Sequence, residues 1–200
     1  MNLPDIRQTW AVAFLVAAFG SMAAGAQPAP SNPASATQAV AEHDGSHDFD
    51  WEIGTWATNV KVLRNPLSPK ATWVEFNGTS VIHALGGGRA NLVDLDVAGP
   101  AGRIQGVSLR LYNVQARQWS LNFANMGDGV LTTPSVGEFK NGRGEFYGPD
   151  TLRGRTILVR FVILDVTPDS ARFEQSYSAD GGKTWELNWV ATDRRLPAKP

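Results

Sequence analysis

With 18 basic and 19 acidic side chains among 200 residues, a formal charge of −1, the chain has no basic surplus with which to grip nucleic acid. It contains no cysteine, which excludes disulfides, thiolate metal centres and lipid attachment through a thiol. Taken from its beginning, the chain opens on an address. Trp10 to Phe19 form a short apolar run behind Arg7, and Ala24-Gly25-Ala26 supplies the small residues of a cleavage step. Residues 1–26 read as a signal peptide cut after Ala26, with an uncleaved anchor as the alternative. The run, about ten residues, is short for a bilayer span. The expectation is an exported protein, periplasmic or secreted, with no stable membrane insertion after processing. Residues 27–46 are rich in Pro, Ala and Ser and poor in large apolar side chains, the composition of a flexible leader. Residues 47–195 remain, enough for one domain with its own core.

Within that domain Phe49–Ile53 predicts one helical turn with Asp48 as its N-cap. Strand patterns follow at Trp56–Leu63, Thr72–His83, Ala90–Val97, Arg103–Asn113, Gln118–Asn125, Val130–Phe139, Gly144–Asp150, Arg155–Leu164, Ala171–Ser178 and Thr184–Thr192. Turn formers separate them: Pro66 and Pro69, Gly86-Gly87-Gly88, Gly99-Pro100, Gly127-Asp128-Gly129, Asn141-Gly142, Arg153-Gly154 and Pro168-Asp169. Connections this short hold no crossover helix, so neighbouring strands must be antiparallel. The predicted fold is all-β: a single antiparallel up-and-down barrel of about ten strands, since closure removes the bare edges of an open sheet. A β-sandwich is the alternative. Alternation gathers Val107, Leu109 and Leu111 on one face, Trp119, Leu121 and Phe123 on another, and Trp185, Leu187 and Trp189 on a third. Ile157, Val159, Phe161 and Ile163 alternate with further apolar residues, which predicts a strand covered on both sides.

The last hairpin has the sharpest local signal. Ser178-Ala-Asp-Gly-Gly-Lys-Thr-Trp185 places Asp180, Gly181 and Gly182 between two strands, with Ser178 and Thr184 beside them. The glycines reach positive φ at little cost and the Asp180 carboxylate accepts bonds from turn groups, so Ser178, Asp180, Gly182, Thr184 and Trp185 form a structural brace. The octapeptide resembles the Asp-box of sialidases and related propellers, where it braces hairpins away from the chemistry. One copy in a chain this short does not make a propeller.

A wider resemblance rests on four segments: His47-Asp-Phe-Asp-Trp-Glu-Ile-Gly-Thr-Trp56, Gly106-Val-Ser-Leu-Arg-Leu-Tyr112, Gly144-Glu-Phe-Tyr-Gly148, and Phe173 through Trp189. Gly54-Thr55-Trp56, entering the first strand, resembles the Gly-x-Trp signature of lipocalins and fatty-acid-binding proteins. Together the segments resemble an uncharacterised bacterial lipocalin-like domain-of-unknown-function family. The resemblance implies a calycin-type barrel and brings no catalytic residue or substrate with it.

Candidate sites compete with plainer readings. Asp48, Asp50 and Glu52 form an acidic group that reads as a capped turn with solvated carboxylates before it reads as an acid–base or cation site. His83 is the best candidate for a proximal haem ligand, though a strand-end histidine is usually ordinary; three scattered histidines make no zinc site, and no cofactor or metal is expected. Gly86-Gly87-Gly88 lacks the Lys-Ser/Thr of a phosphate loop and reads as a tight turn at an open rim. Arg110, Tyr112, Arg160 and Glu174 lie within strands. Facing inward, the arginines would bind a carboxylate or phosphate head group with Tyr112 donating, and Glu174 would neutralise one of them. Plain patterning instead puts Arg110 outside. Trp56, Trp73 and Trp119 read as core or barrel-end plugs before they read as ligand-stacking surfaces. The leading expectation is an exported binding protein holding a small apolar or amphipathic molecule, with Trp56, Arg110, Tyr112, Trp119, Arg160 and Glu174 as ligand-binding candidates. The alternatives are an isomerase or hydrolase using Glu174 as base and Arg110 as oxyanion partner, or an interaction protein with a filled barrel.

Overall fold

The computed structural model describes residues 44–197, so the expected signal peptide and the leader up to residue 43 lie outside the described residues. A 3-10 turn at Asp50–Glu52 precedes ten strands. These are β1 (Gly54–Arg64), β2 (Thr72–Leu85), β3 (Ala90–Gly99), β4 (Gly102–Asn113) and β5 (Gln118–Asn125), then β6 (Ser135–Lys140), β7 (Arg143–Leu152), β8 (Arg155–Leu164), β9 (Ser170–Ser178) and β10 (Glu186–Arg195). Each pairs antiparallel with its sequence neighbours, and β1 pairs with β10 to close the barrel. The sandwich alternative is thereby excluded.

Two ends result. The turn at Asp50–Glu52 lies where β1 begins and β10 ends, and it stoppers that end of the barrel. Phe49, 1% exposed, meets the rings of Trp119 and Phe139 edge-on at 4.9 and 5.1 Å. Trp56 is fully buried beside Ile82 and Val93, with Trp51 and Ile53 of the stopper packed on them. Its indole donates to the Glu52 carbonyl at 2.6 Å, and the Arg195 guanidinium lies 4.1 Å from its ring centroid. Arg195 also donates to the Ile53 carbonyl at 2.9 Å and to that of Trp51, which ties the last strand to the segment before the first. The opposite end carries the connections between β1 and β2, β3 and β4, β5 and β6, β7 and β8, and β9 and β10.

Several local expectations change. Phe49 precedes the 3-10 turn and no side chain caps it, so Asp48 is not the N-cap. The sixth strand starts at Ser135 instead of Val130 because Pro134 has no N–H to give to a ladder. Before it the chain makes only a single bridge, Ala124 to Leu131. The triple glycine does turn the chain, with φ of +58°, +69° and +93°, yet at the stoppered end, where Gly88 faces the His47 ring. At Gly78 a Cβ would collide with the Asp96 carbonyl oxygen, and at Gly137 with that of Glu145. Such glycines let neighbouring strands approach closely where the wall bends.

Cross-strand partners share a face, and this decides which side of β4 is inside. Tyr112, Arg110 and Ser108 pair with Trp119, Leu121 and Phe123, and the aromatic row of β5 is the buried one. Val107, Leu109 and Leu111 therefore point outward, with Leu111 44% exposed; Arg110 points inward, against the plain pattern. In β10 the register slips between Leu187 and Trp189. This bulge turns Trp189 into the barrel while Leu187 stays outside, so the expected Trp185–Leu187–Trp189 face does not exist. The β8 strand is covered on both sides: Ile157 and Ile163 are buried inside and Val162 outside.

Candidate functional site

A cavity of about 390 Å³ occupies the barrel above the stopper. Its walls are apolar, with Val60, Leu95, Leu121, Val159, Phe173 and Trp189 prominent. Pro66, Thr132, Thr133 and Asp150 line it toward the loop-bearing end, so the interior is not filled. The floor is polar. Thr58 and Ser80 lie there with Glu52, Arg110 and Asp193, the last three 2%, 4% and 5% exposed.

Glu52 enters the floor from the stopper and Arg110 from β4. The guanidinium engages both carboxylate oxygens, Nη2 donating to Oε1 at 3.2 Å and Nη1 to Oε2. One face of the guanidinium covers Phe49, 4.4 Å from the ring centroid. Burying the two charges costs desolvation, which the two-point contact and the ring offset. Asp193, on β10, stands opposite Thr58 of β1. Burial, assisted by the nearby Glu52 charge, pushes its carboxyl up to about 7, against the opposing pull of a Thr58 hydrogen bond and the Arg110 charge. The Thr58 hydroxyl also shares a 2.8 Å hydrogen bond with that of Ser80. Three buried polar atoms on cavity-lining residues have no hydrogen-bond partner among the described residues: Arg110 Nε, Asp193 Oδ1 and Asn188 Nδ2.

The residues singled out from sequence scatter. Arg110 lines the cavity. Trp56 and Trp119 do not; they sit in the stoppered end, where the Trp119 indole donates to the Gly45 carbonyl at 2.8 Å. Tyr112 packs on Trp119 and lines a separate space of about 330 Å³ with Asp44, Ser46, Arg89, Val114 and Arg117. Burial, with the charges of Asp44 and Asp48 adding, raises its hydroxyl pKa. Arg160 lies on the outer wall, its guanidinium 4.8 Å from the Trp185 ring. Glu174 is also outside, paired with Arg172 Nε at 2.7 Å. The barrel wall thus separates Glu174 from Arg110, and the base-and-oxyanion pairing imagined for an enzyme is not assembled. Trp73 is 46% exposed and plugs nothing. His83 pairs with Leu92 on the outer face, so it presents no ligand to the cavity. Glu52, expected among solvated acids, is instead a buried part of the floor.

The brace at Ser178–Trp185 forms as a hydrogen-bonded unit. Ser178 Oγ donates to Asp180 Oδ1 at 2.7 Å and accepts from the Gly182 amide at 2.8 Å. Thr184 gives its amide and hydroxyl to the Asp180 carboxylate at 2.9 and 2.6 Å. These donors hold Asp180 at about 2. Trp185 then folds onto the outer wall against Tyr147, ring centroids 6.0 Å apart.

Sequence reading missed Asp193, Asn188, Thr58 and Ser80. A signal existed for Asp193, which continues the Trp189–Ala191 alternation. Asn188 is inside because of the bulge, which no periodicity announces. Among the described residues no group of three or more His, Cys, Asp or Glu side chains is placed to hold a metal ion.

No protein-family model matches this chain, and no curated protein matches it. Solved structures do. The S-type phycobiliprotein lyase CPES from Guillardia theta is 14% identical with a TM-score of 0.52, over 76% of this chain and 92% of its own. A de novo designed fluorescence-activating β-barrel is 12% identical with a TM-score of 0.41, over 75% and 98%. A protein of unknown function from the DUF3598 family of Nostoc punctiforme is 9% identical with a TM-score of 0.22, over 76% and 99%. At these identities the first likeness carries the fold alone, and what this chain has in common with the lyase is a closed antiparallel β-barrel.

Proposed function

We propose that the protein is a carrier or sensor that holds one small amphipathic molecule in its barrel, apolar part along the walls and polar end on the floor. The observation that carries this reading is the cavity of about 390 Å³, apolar along its sides and lined by three buried polar atoms, on Arg110, Asn188 and Asp193, that have no hydrogen-bond partner among the described residues. That size falls in the range of roughly 300–1,000 Å³ typical of small-molecule sites. The lipocalin-like motifs at Gly54–Trp56 and Phe173–Trp189 support the same reading. The apolar run Trp10–Phe19 and the Ala24-Gly25-Ala26 step support action after export, in a periplasm or outside the cell.

The test is to isolate the full chain gently from its exported fraction and compare native with denatured mass. A stoichiometric extra mass that disappears on denaturation is the expected result and identifies the cargo. A bare protein that also fails to take up an environment-sensitive apolar dye would overturn the reading.

A further inference from the structure

We infer that the cavity selects amphipathic cations: molecules with an apolar tail and a protonated amine or amidine at one end, held by the Asp193 carboxylate on the floor. This inference deepens the carrier reading and rests on it.

The charged groups that line the cavity are Glu52, Arg110, Asp150 and Asp193, three acids against one base. The base is spent. Arg110 gives both terminal nitrogens to Glu52 and lays one face on Phe49. A ligand carboxylate would meet only its Nε, and would have to lie beside two further carboxylates in a space with little water. A head-group role for Arg110 toward anions therefore fails on geometry: the anion receptor is already occupied by the protein's own anion.

What is left over is a hydrogen-bond acceptor. Asp193 is 5% exposed and lines the cavity, and its Oδ1 has no partner among the described residues. An unpaired buried acceptor of this kind costs free energy until a donor reaches it. A ligand ammonium supplies donors and the missing positive charge together, making a charge-assisted bond in a low-dielectric setting. The neighbouring elements fit the assignment. Thr58 and Ser80, from β1 and β2, bring hydroxyls that accept further ammonium protons; Glu52 from the stopper and Arg110 from β4 cancel one another. Asn188 binds Gln175 through its Oδ1 at 3.0 Å and leaves its Nδ2 as a donor for a second polar atom on the ligand. The walls between are apolar, which suits an alkyl or aryl tail.

Three probes of equal tail length separate the possibilities: octylammonium, octanoate and octan-1-ol, titrated into the full-length protein by calorimetry or by the fluorescence of its tryptophans. Octylammonium is expected to bind at least about tenfold more tightly than octanol at pH 8, with octanoate the weakest, a difference of one good charge-assisted bond. Asp193→Asn should remove the octylammonium preference, leaving it no tighter than octanol. In the unaltered protein, octylammonium affinity should fall by up to about tenfold per pH unit below pH 7 as Asp193 takes up its own proton, while octanol stays level. Octanoate binding as tightly as octylammonium, or an ammonium preference that persists in Asp193→Asn or ignores pH, would overturn the inference and leave the carrier reading standing. If none of the three binds, the inference falls, and the carrier reading is decided by the native-mass and dye measurements. The comparison of probes and the pH series use the unaltered protein, so neither depends on how well the variant folds.

Discussion

The two ends of this barrel solve opposite problems with different side chains. At the stoppered end Phe49, Trp56 and Trp119 are at most 1% exposed, and two arginines that enter it are held by partners. Arg110 meets Glu52, and Arg195 meets carbonyls and the Trp56 ring. At the loop-bearing end the ties are mainly polar, with the Ser178–Trp185 brace foremost among them. The Leu67 amide reaches the Glu186 carboxylate at 2.5 Å, and Thr132 links its segment back to Phe123. One end is therefore a packed foundation and the other a rim able to admit a molecule. Stability should reside at the first and access at the second.

The strongest way to break that contrast is Arg110→Met, which leaves Glu52 buried with no counter-charge. A loss of roughly 3–5 kcal/mol in urea unfolding is expected, and Glu52→Gln added to Arg110→Met should restore most of it. An unfolding midpoint unmoved by the single change would mean that the pair is not buried as described. Next comes Asp193, whose carboxyl rises from 3.8 to about 7 on folding. For an acid raised in this way the folded state holds the extra proton between those values. Stability should therefore decline as pH climbs from about 4 to about 7, then level off. At 1.36 kcal/mol for each pH unit, the full decline is on the order of 4 kcal/mol, and Asp193→Asn should flatten the profile. The smallest effect belongs to the far end: Trp73→Ala, at a half-exposed outer position, should change stability by no more than about 0.5 kcal/mol. A loss of several kcal/mol there would erase the distinction between the ends.

How much of this was legible beforehand differs between wall and floor. Turn residues and alternation located ten strands, and the brace at Ser178–Trp185 announced its geometry through residue identity alone. The floor was harder because its members come from distant parts of the chain and break local rules. Val107, Leu109 and Leu111 form the more apolar row of β4, yet the register with Trp119, Leu121 and Phe123 put the Arg110 row inside. Face choice in a two-sided strand depends on its partner, which is a long-range fact. Glu52 looked like one of three solvated acids; only the docking of the stopper buries it. Asn188 is inside by virtue of a bulge. Arg160 and Glu174, the polar strand residues most suggestive by identity, decorate the outer wall beside Trp185 and Arg172.

The bond from Arg195 to the Ile53 carbonyl spans 142 positions of the chain, and it has a kinetic corollary. All other neighbouring strands can zip together locally, one hairpin at a time, but the β1–β10 pairing must await the last-made strand and closes the longest loop. Glu52 arrives with the segment before β1, and Asp193 arrives with β10. During synthesis the floor cannot exist until the final strand has emerged. A chain truncated before β10 would keep its hairpins but have neither a closed wall nor a place to put a ligand. Occupancy of the cavity would then double as a certificate that the barrel has been completed, and a bound molecule should slow its reopening.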